Sequence, residues 1–102
     1  MIVVVFRFRV KPNANLEELG ALSEEMAGLV SKMPGFIAVK DFAAQDGEVA
    51  VIAEFDSLES VDAWKAHPEH VVAQGRGRDE FLEVYQVQVC SLIRTTESAA
   101  KS

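Results

Sequence analysis

The sequence is poor in cysteine, in positive charge and in long apolar runs. Its single cysteine, Cys90, excludes an internal disulfide and a zinc site with several cysteines, and a lone thiol suits a reducing cytoplasm. Ten Lys and Arg face 16 Asp and Glu, and the net charge of −6 argues against nucleic acid or an anionic membrane as a partner. The apolar N-terminal run is interrupted at Arg7, which makes it too short for a membrane span, and it lacks signal-peptide features. We therefore expect a cytoplasmic protein.

The composition predicts one globular domain. The chain has 102 residues, of which 49% are hydrophobic and 25% charged. Residues 1–94 carry all the apolar patterning and form the predicted domain, whereas residues 95–102 are small and polar and form a predicted flexible tail.

Local signals predict the elements of the first half of the chain. Alternating β-branched and aromatic residues predict a strand over residues 2–10. Asn15, with Glu18 three residues later, predicts the start of a helix whose apolar residues continue at helical spacing to Met33, before Pro34 and Gly35 end it. Asp46-Gly47 predicts a tight turn between strands at 36–44 and 48–55.

The second half repeats the helix–strand pattern. Asp56 or Ser57 caps a predicted helix that breaks near His67, because Pro68 suits the first turn of a new helix over residues 68–74. A last strand is predicted over residues 82–94. The order strand, helix, strand, strand, helix, strand predicts an α+β, ferredoxin-like βαββαβ fold, a four-stranded antiparallel sheet with the helices on one face.

The face of the sheet away from the helices is predicted to be half apolar. It carries Val3, Val5, Ala50 and Ile52, together with polar residues such as Arg7. This is too much aliphatic surface for a monomer, so we expect a twofold homodimer with the two sheets packed face to face. The alternative is a monomer that tolerates a half-apolar face.

The chain resembles the antibiotic biosynthesis monooxygenase domain family over most of its length, residues 2–94. The segments that carry the resemblance are Met33-Pro34-Gly35-Phe36, Glu54-Phe55, Ala63-Trp64-Lys65-Ala66-His67-Pro68-Glu69-His70, Ala73-Gln74, Gly77-Arg78 and Tyr85-Gln86-Val87. The resemblance implies a dimeric α+β barrel with a pocket between helices and sheet in each subunit. It also implies an oxidation of quinols or other aromatic molecules by dioxygen without metal or flavin. We therefore expect a cofactor-independent monooxygenase.

The candidate site residues follow from this expectation. His70, or alternatively His67, is the predicted base that deprotonates a phenol, and Arg78 is predicted to stabilise negative charge. The predicted substrate-binding residues are Trp64, Phe6, Phe8, Phe81, Tyr85 and Gln74. No metal site is expected, because the two histidines have no third ligand nearby in the sequence.

Structural roles remain open for the same residues. Trp64 is also consistent with a core aromatic residue, His67 with a helix N-cap and His70 with a hydrogen-bonded imidazole. Arg76 and Arg78 are also consistent with exposed side chains or with ion pairs to Asp79, Glu80 or Glu83. Two other functions also stay open, a non-catalytic binding or stress-response module for a hydrophobic ligand and an atypical haem-binding member. The haem branch of the family would need a histidine where Gln74 stands and an asparagine in the first strand, and the sequence has neither.

Overall fold

The computed structural model describes residues 1–98 and has the predicted α+β, ferredoxin-like architecture. The elements are β1 (Ile2–Val10), α1 (Leu16–Val30), β2 (Phe36–Ala43), β3 (Val49–Phe55), α2 (Leu58–Ala66), α3 (Pro68–Arg76), a π-helical turn (Gly77–Phe81) and β4 (Leu82–Ser91). The sheet has the order β2-β3-β1-β4 with every neighbouring pair antiparallel. Of the predicted tail, residues 95–98 have no regular structure, and residues 99–102 lie outside the described residues.

The predicted helix caps are confirmed. The side-chain oxygen of Asn15 accepts a hydrogen bond from the backbone N–H of Glu18 (3.0 Å), and the Ser57 hydroxyl accepts one from the N–H of Ser60 (3.2 Å). The helical spacing up to Met33 overstates the first helix, because α1 ends at Val30 and tight turns connect it to Gly35. Gly35 and Gly47 have positive φ values of 82° and 94°, which glycine adopts without steric cost.

The strand register agrees with the predicted faces of the sheet. Val4 pairs with Ala53, and Phe6 with Val51, on the helix side. Val5 pairs with Ile52 on the opposite face, because successive side chains of a strand alternate between faces. No helix of the described residues covers that opposite face, on which Phe42 is 49% exposed beneath the Lys40 ammonium.

The core between sheet and helices is small. Phe55 is 1% exposed and packs with Val30 and Val61, and its ring meets Phe36 edge-on at 5.8 Å. Complete burial of a side chain of this kind contributes about 1.5–3 kcal/mol to the free energy of unfolding. Trp64 lies at the edge of this cluster, against the same face of the sheet as Val4. The core therefore fixes α2 on the sheet, and with it the joint between α2 and α3, which comprises residues 64–70.

Candidate functional site

The joint between α2 and α3 brings three of the predicted site residues together. The His70 imidazole stacks on the Trp64 indole, with ring centroids 4.1 Å apart and an interplanar angle of 12°, and the His67 ring lies 5.6 Å from the same indole. All three side chains are half-buried. The chain turns here because Pro68 cannot continue α2 but suits the first position of α3.

The Nδ1 atoms of the two histidines have different hydrogen-bond partners at the joint. The Nδ1 of His67 accepts a hydrogen bond from the backbone N–H of Glu69 (3.2 Å), so His67 is the N-cap of α3. The Nδ1 of His70 lies 3.0 Å from the carbonyl oxygen of Trp64. A carbonyl oxygen only accepts, so this contact favours the tautomer with the proton on Nδ1 and the lone pair on Nε2. Gln74 Nε2, an N–H donor, lies farther from the same nitrogen, at 3.3 Å.

The electrostatics of the joint keep His70 neutral. Burial lowers the pKa of His70 below the usual imidazole value, and the nearby charge of His67 lowers this pKa further. The hydrogen bond to the Trp64 carbonyl raises the pKa, but by less than burial lowers it. A neutral imidazole with a free Nε2 lone pair is chemically a general base at neutral pH.

The lowered pKa of His70 predicts a loss of stability in mild acid. Below its ordinary pKa of about 6.5, an unfolded chain binds a proton at His70 that the folded chain resists. The contribution of the neutral His70 ring to the free energy of unfolding is therefore complete above a pH of about 6.5. It is lost as the pH falls through the lower pKa that His70 has in the folded protein. We expect the free energy of unfolding, measured with urea, to fall between pH 7.5 and 5.5 more steeply for the wild type than for His70→Asn. Equal slopes for the two proteins would contradict this expectation.

Three of the predicted substrate-binding aromatic residues form a second group. The ring centroids of Phe6 and Phe8 on β1 are 5.0 Å apart, and the ring of Tyr85 on β4 packs edge-on against Phe6 with a centroid distance of 6.2 Å. These rings share the helix-side face of the sheet with Val4, which, like Trp64, packs against the cluster of Val30, Phe55 and Val61. The aromatic group and Trp64 thus lie on the same side of the sheet.

The remaining candidates lie on α3 and the π-helical turn. Gln74 donates from Nε2 to the Lys65 carbonyl (3.1 Å) at the end of α2. Phe81 is 1% exposed, and the Arg76 guanidinium lies over its ring at 5.2 Å. Arg78 is exposed and makes no ion pair with any residue from 1 to 98. Neither Arg78 nor Phe81 belongs to the two groups above.

The π-helical turn is a feature that the sequence did not predict. The short helix was predicted to end at residue 74, whereas α3 continues to Arg76 and a π-helical turn follows. Arg76 holds this segment, with two hydrogen bonds to the Glu80 carboxylate (2.8 and 3.1 Å) and an ion pair to Glu18 at 3.6 Å. Arg76 and Glu80 are four residues apart in the sequence, a spacing at which oppositely charged side chains meet on a helix.

The surface has two concavities of note, and neither is lined by Trp64, His67 or His70. The larger, about 310 Å³, lies between α1 and α3, and its lining includes Leu22, Met26 and Val72. The smaller, about 130 Å³, includes Arg7, Val84 and Gln86 of the sheet. No group of three or more potential metal ligands occurs among residues 1–98. No helix in this part of the chain combines the length and apolar character needed to cross a membrane.

One family model matches the sequence, and one curated relative is similar to it. The sequence model of the family described as antibiotic biosynthesis monooxygenase matches residues 1–76. YqjZ of Bacillus subtilis, described as an uncharacterized protein, is 32% identical over 75 residues. That stretch covers 74% of this chain and 66% of YqjZ, so the chain spans slightly less than two thirds of this relative.

Solved structures share the fold at low sequence identity. Rv0793 from Mycobacterium tuberculosis is 18% identical, with a TM-score of 0.82 over 94% of this chain and 98% of that one. SnoaB, a cofactor-independent oxygenase from Streptomyces nogalater, is 16% identical, with a TM-score of 0.79 over 95% of this chain and 97% of its own. At these identities the likeness shows the fold, and function has to be argued from the site.

Proposed function

Because the chain belongs to the antibiotic biosynthesis monooxygenase family, we propose that it is a cofactor-independent monooxygenase that oxidises a small aromatic or quinol substrate with dioxygen. The observation that carries this proposal is the His70–Trp64 stack. It combines a flat aromatic surface with an imidazole whose Nδ1 is held by a carbonyl and whose Nε2 is free to take a proton. The indole offers a small phenol an aromatic surface on which to bind, and the neutral imidazole next to it can accept the phenolic proton.

Of the two histidines, His70 is the better base. A neutral imidazole has one lone pair, and in His67 this lone pair accepts the N–H of Glu69. Proton uptake at Nδ1 of His67 would therefore remove the N-cap of α3. In His70 the hydrogen-bonded nitrogen is the one that carries the proton, and uptake at Nε2 leaves the bond to Trp64 in place.

The other roles follow from charge and position. Trp64 with the aromatic group of Phe6, Phe8 and Tyr85 offers apolar surface on the helix side of the sheet for an aromatic substrate. The exposed guanidinium of Arg78, which forms no ion pair with residues 1–98, is proposed to stabilise a phenolate or peroxide anion. Gln74 is proposed to border the site beside His70, whereas Phe81, 1% exposed beneath Arg76, is given no substrate contact.

The proposed reaction balances without a further reductant. His70 removes the phenolic proton of a hydroquinone, the phenolate transfers one electron to dioxygen, and the resulting radical pair forms a carbon–oxygen bond at the ring. The ring hydroperoxide then loses water. One oxygen atom stays on the product as a hydroxyquinone, and the other leaves in water with two hydrogens from the substrate. The protein contributes a base, an apolar surface and a cation.

We propose a homodimer as the working form. The face of the sheet opposite the helices carries the Val5–Ile52 pair and the exposed Phe42. An exposed apolar patch of this kind is typical of a protein–protein interface. Two such faces pack at about 10 Å separation. The exposed thiol of Cys90 suits a reducing cytoplasm, where we place the protein. The excess of acidic residues supports neither nucleic acid nor a membrane as a partner.

Labelled dioxygen tests the proposed activity. We expect oxygen uptake with members of a hydroquinone panel, one labelled oxygen atom in the product and the other in water, and unchanged rates in the presence of a chelator. A product without labelled oxygen, or uptake that the chelator abolishes, would contradict the proposal.

A second candidate function is the binding of a hydrophobic ligand without chemistry. The observation that favours it is the concavity of about 310 Å³ between α1 and α3, whose lining includes the apolar side chains of Leu22, Met26 and Val72. Absence of oxygen uptake over the whole panel, with binding of the same molecules retained, would favour this candidate over the monooxygenase.

A further inference from the structure

We propose that the concavity between α1 and α3 binds a small organic cation, an ammonium group carried on an apolar body such as a phenyl ring with a short alkyl chain. The inference rests on the second candidate function in one respect, namely that this concavity takes a ligand, and it adds the charge of that ligand. It involves none of Trp64, His67 or His70, because these side chains do not line the concavity.

The middle of the concavity is apolar. Leu22 and Met26 lie one helical turn apart on α1, and Val72 and Ala73 line the concavity from α3. Val72 is 64% exposed, so a ligand here would remove an aliphatic side chain from water. The volume of about 310 Å³ lies at the lower end of the range for small-molecule sites, about 300–1,000 Å³. The concavity therefore suits a small molecule better than a helix of another protein.

Each of the two helices adds one carboxylate to this apolar lining. Glu25 of α1 and Glu69 of α3 are both exposed, and neither forms an ion pair with residues 1–98. A cation that enters between the helices can meet these two carboxylates while its apolar body covers the side chains between them. A neutral ligand of the same shape would gain the apolar contacts only.

Arg76 is the one cation that residues 1–98 contribute to the lining, and carboxylates already neutralise it. Its guanidinium donates two hydrogen bonds to Glu80 (2.8 and 3.1 Å) and lies 3.6 Å from a carboxylate oxygen of Glu18. The hydrogen bonds to Glu80 raise the pKa of Arg76, and the charges of Glu18 and Glu25 raise it further. An anionic ligand would have to displace one of these carboxylates and would be repelled by Glu69. The lining therefore disfavours anions and favours a cation.

Three small molecules with one apolar body test the charge preference: 3-phenylpropylammonium, 3-phenylpropan-1-ol and 3-phenylpropanoate. Methyl NMR titration of the wild type at neutral pH measures each Kd, and the signals of Leu22, Met26 and Val72 locate the binding. We expect the ammonium to bind about fivefold or more tightly than the alcohol, because two exposed charge pairs each strengthen binding by a small factor. The carboxylate should bind more weakly than the alcohol. High salt should reduce the preference for the ammonium, since it screens exposed charges.

Two double variants show whether the preference comes from the concavity or from the net negative charge of the protein. Glu25→Gln with Glu69→Gln is expected to abolish the preference for the ammonium and to leave binding of the alcohol unchanged, which also reports an intact fold. Glu24→Gln with Glu59→Gln is the matched control. Glu24 is the neighbour of Glu25 on α1, Glu59 is the second residue of α2 as Glu69 is of α3, and both are exposed outside the concavity. The control should keep the preference.

The outcomes separate this inference from the function on which it rests. Equal binding of the ammonium and the alcohol, or equal effects of the two double variants, would overturn the inference and leave the second candidate function in place. If none of the three molecules moved the methyl signals of the concavity, both would be overturned. If these signals moved on dilution of the protein alone, a second copy of the chain would occupy the concavity in place of a small cation.

Discussion

His70→Asn is expected to lower kcat/KM for a hydroquinone by a factor of about 100 or more, the usual contribution of a positioned general base. Asparagine suits this test because its side-chain amide can place an N–H near the position of Nδ1 of His70. The bond to the Trp64 carbonyl, 3.0 Å in the wild type, can then form again while the basic nitrogen is lost. Stopped-flow oxygen uptake over a range of pH measures the effect, and the remaining rate should depend less on pH below neutrality.

The matched control is His67→Asn. Asparagine is among the best N-cap residues, so this variant keeps the cap of α3, which His67 provides by accepting the N–H of Glu69. Because the lone pair of His67 serves the cap rather than the substrate, we expect its kcat/KM to stay within about threefold of the wild type, well short of the effect of losing a general base. If His67→Asn lost the activity and His70→Asn kept it, the two roles would have to be exchanged. If both variants were fully active, neither imidazole would be the base.

Ile52→Glu is expected to dissociate the homodimer, raising its dissociation constant by a factor of about 1,000, since an unpaired charge buried in an interface costs several kcal/mol. Ile52 lies in β3, paired with Val5 at the centre of the face that the helices leave uncovered. In the separate subunit this position faces solvent and is only half-buried, so a glutamate there should leave the fold intact. Sedimentation at micromolar concentration, together with circular dichroism, measures assembly and folding independently.

Val71→Glu supplies the comparison for this variant. Val71 is 52% exposed on α3, on the helix side of the sheet and away from the proposed interface, and the change introduces the same charge in place of a β-branched residue. We expect this variant to remain dimeric. A wild-type protein that sediments as a monomer, or a dimer that survives Ile52→Glu, would show that the sheets do not pack against each other.

Local sequence signals located most element boundaries. Asn15 and Ser57 begin helices because their short side chains accept hydrogen bonds from backbone N–H groups three residues further along the chain. Gly47 marks the β2–β3 turn because its positive φ is costly for other residues. Each of these signals acts within a few residues, so it is visible in the sequence. The end of α1 was placed too late because tight turns follow Val30, and apolar spacing alone does not distinguish them from helix.

Part of the site was predictable, and part was not. The segment with Trp64, His67 and His70 stood out because it gathers the rare aromatic and basic side chains within a few positions. The hydrogen-bond partner of His70 could not be identified from the sequence, because it is the main-chain carbonyl of Trp64 and every residue has a main-chain carbonyl. Gln74 was expected near a substrate, and its bond to the Lys65 carbonyl depends on how α3 folds back on α2.

The order of strands and helices, the two faces of the sheet and the break at Pro68 could all be predicted, because they depend on residue spacing and on backbone limits that act locally. Three features emerge only from the folded chain: the hydrogen bond of His70 to the Trp64 carbonyl, the burial of Phe81 under Arg76, and the contact between the aromatic rings of β1 and β4. These features require residues far apart in the chain, or side chains and backbone groups with no sequence signature, to come within a few ångströms of each other. That proximity is set by packing on the sheet.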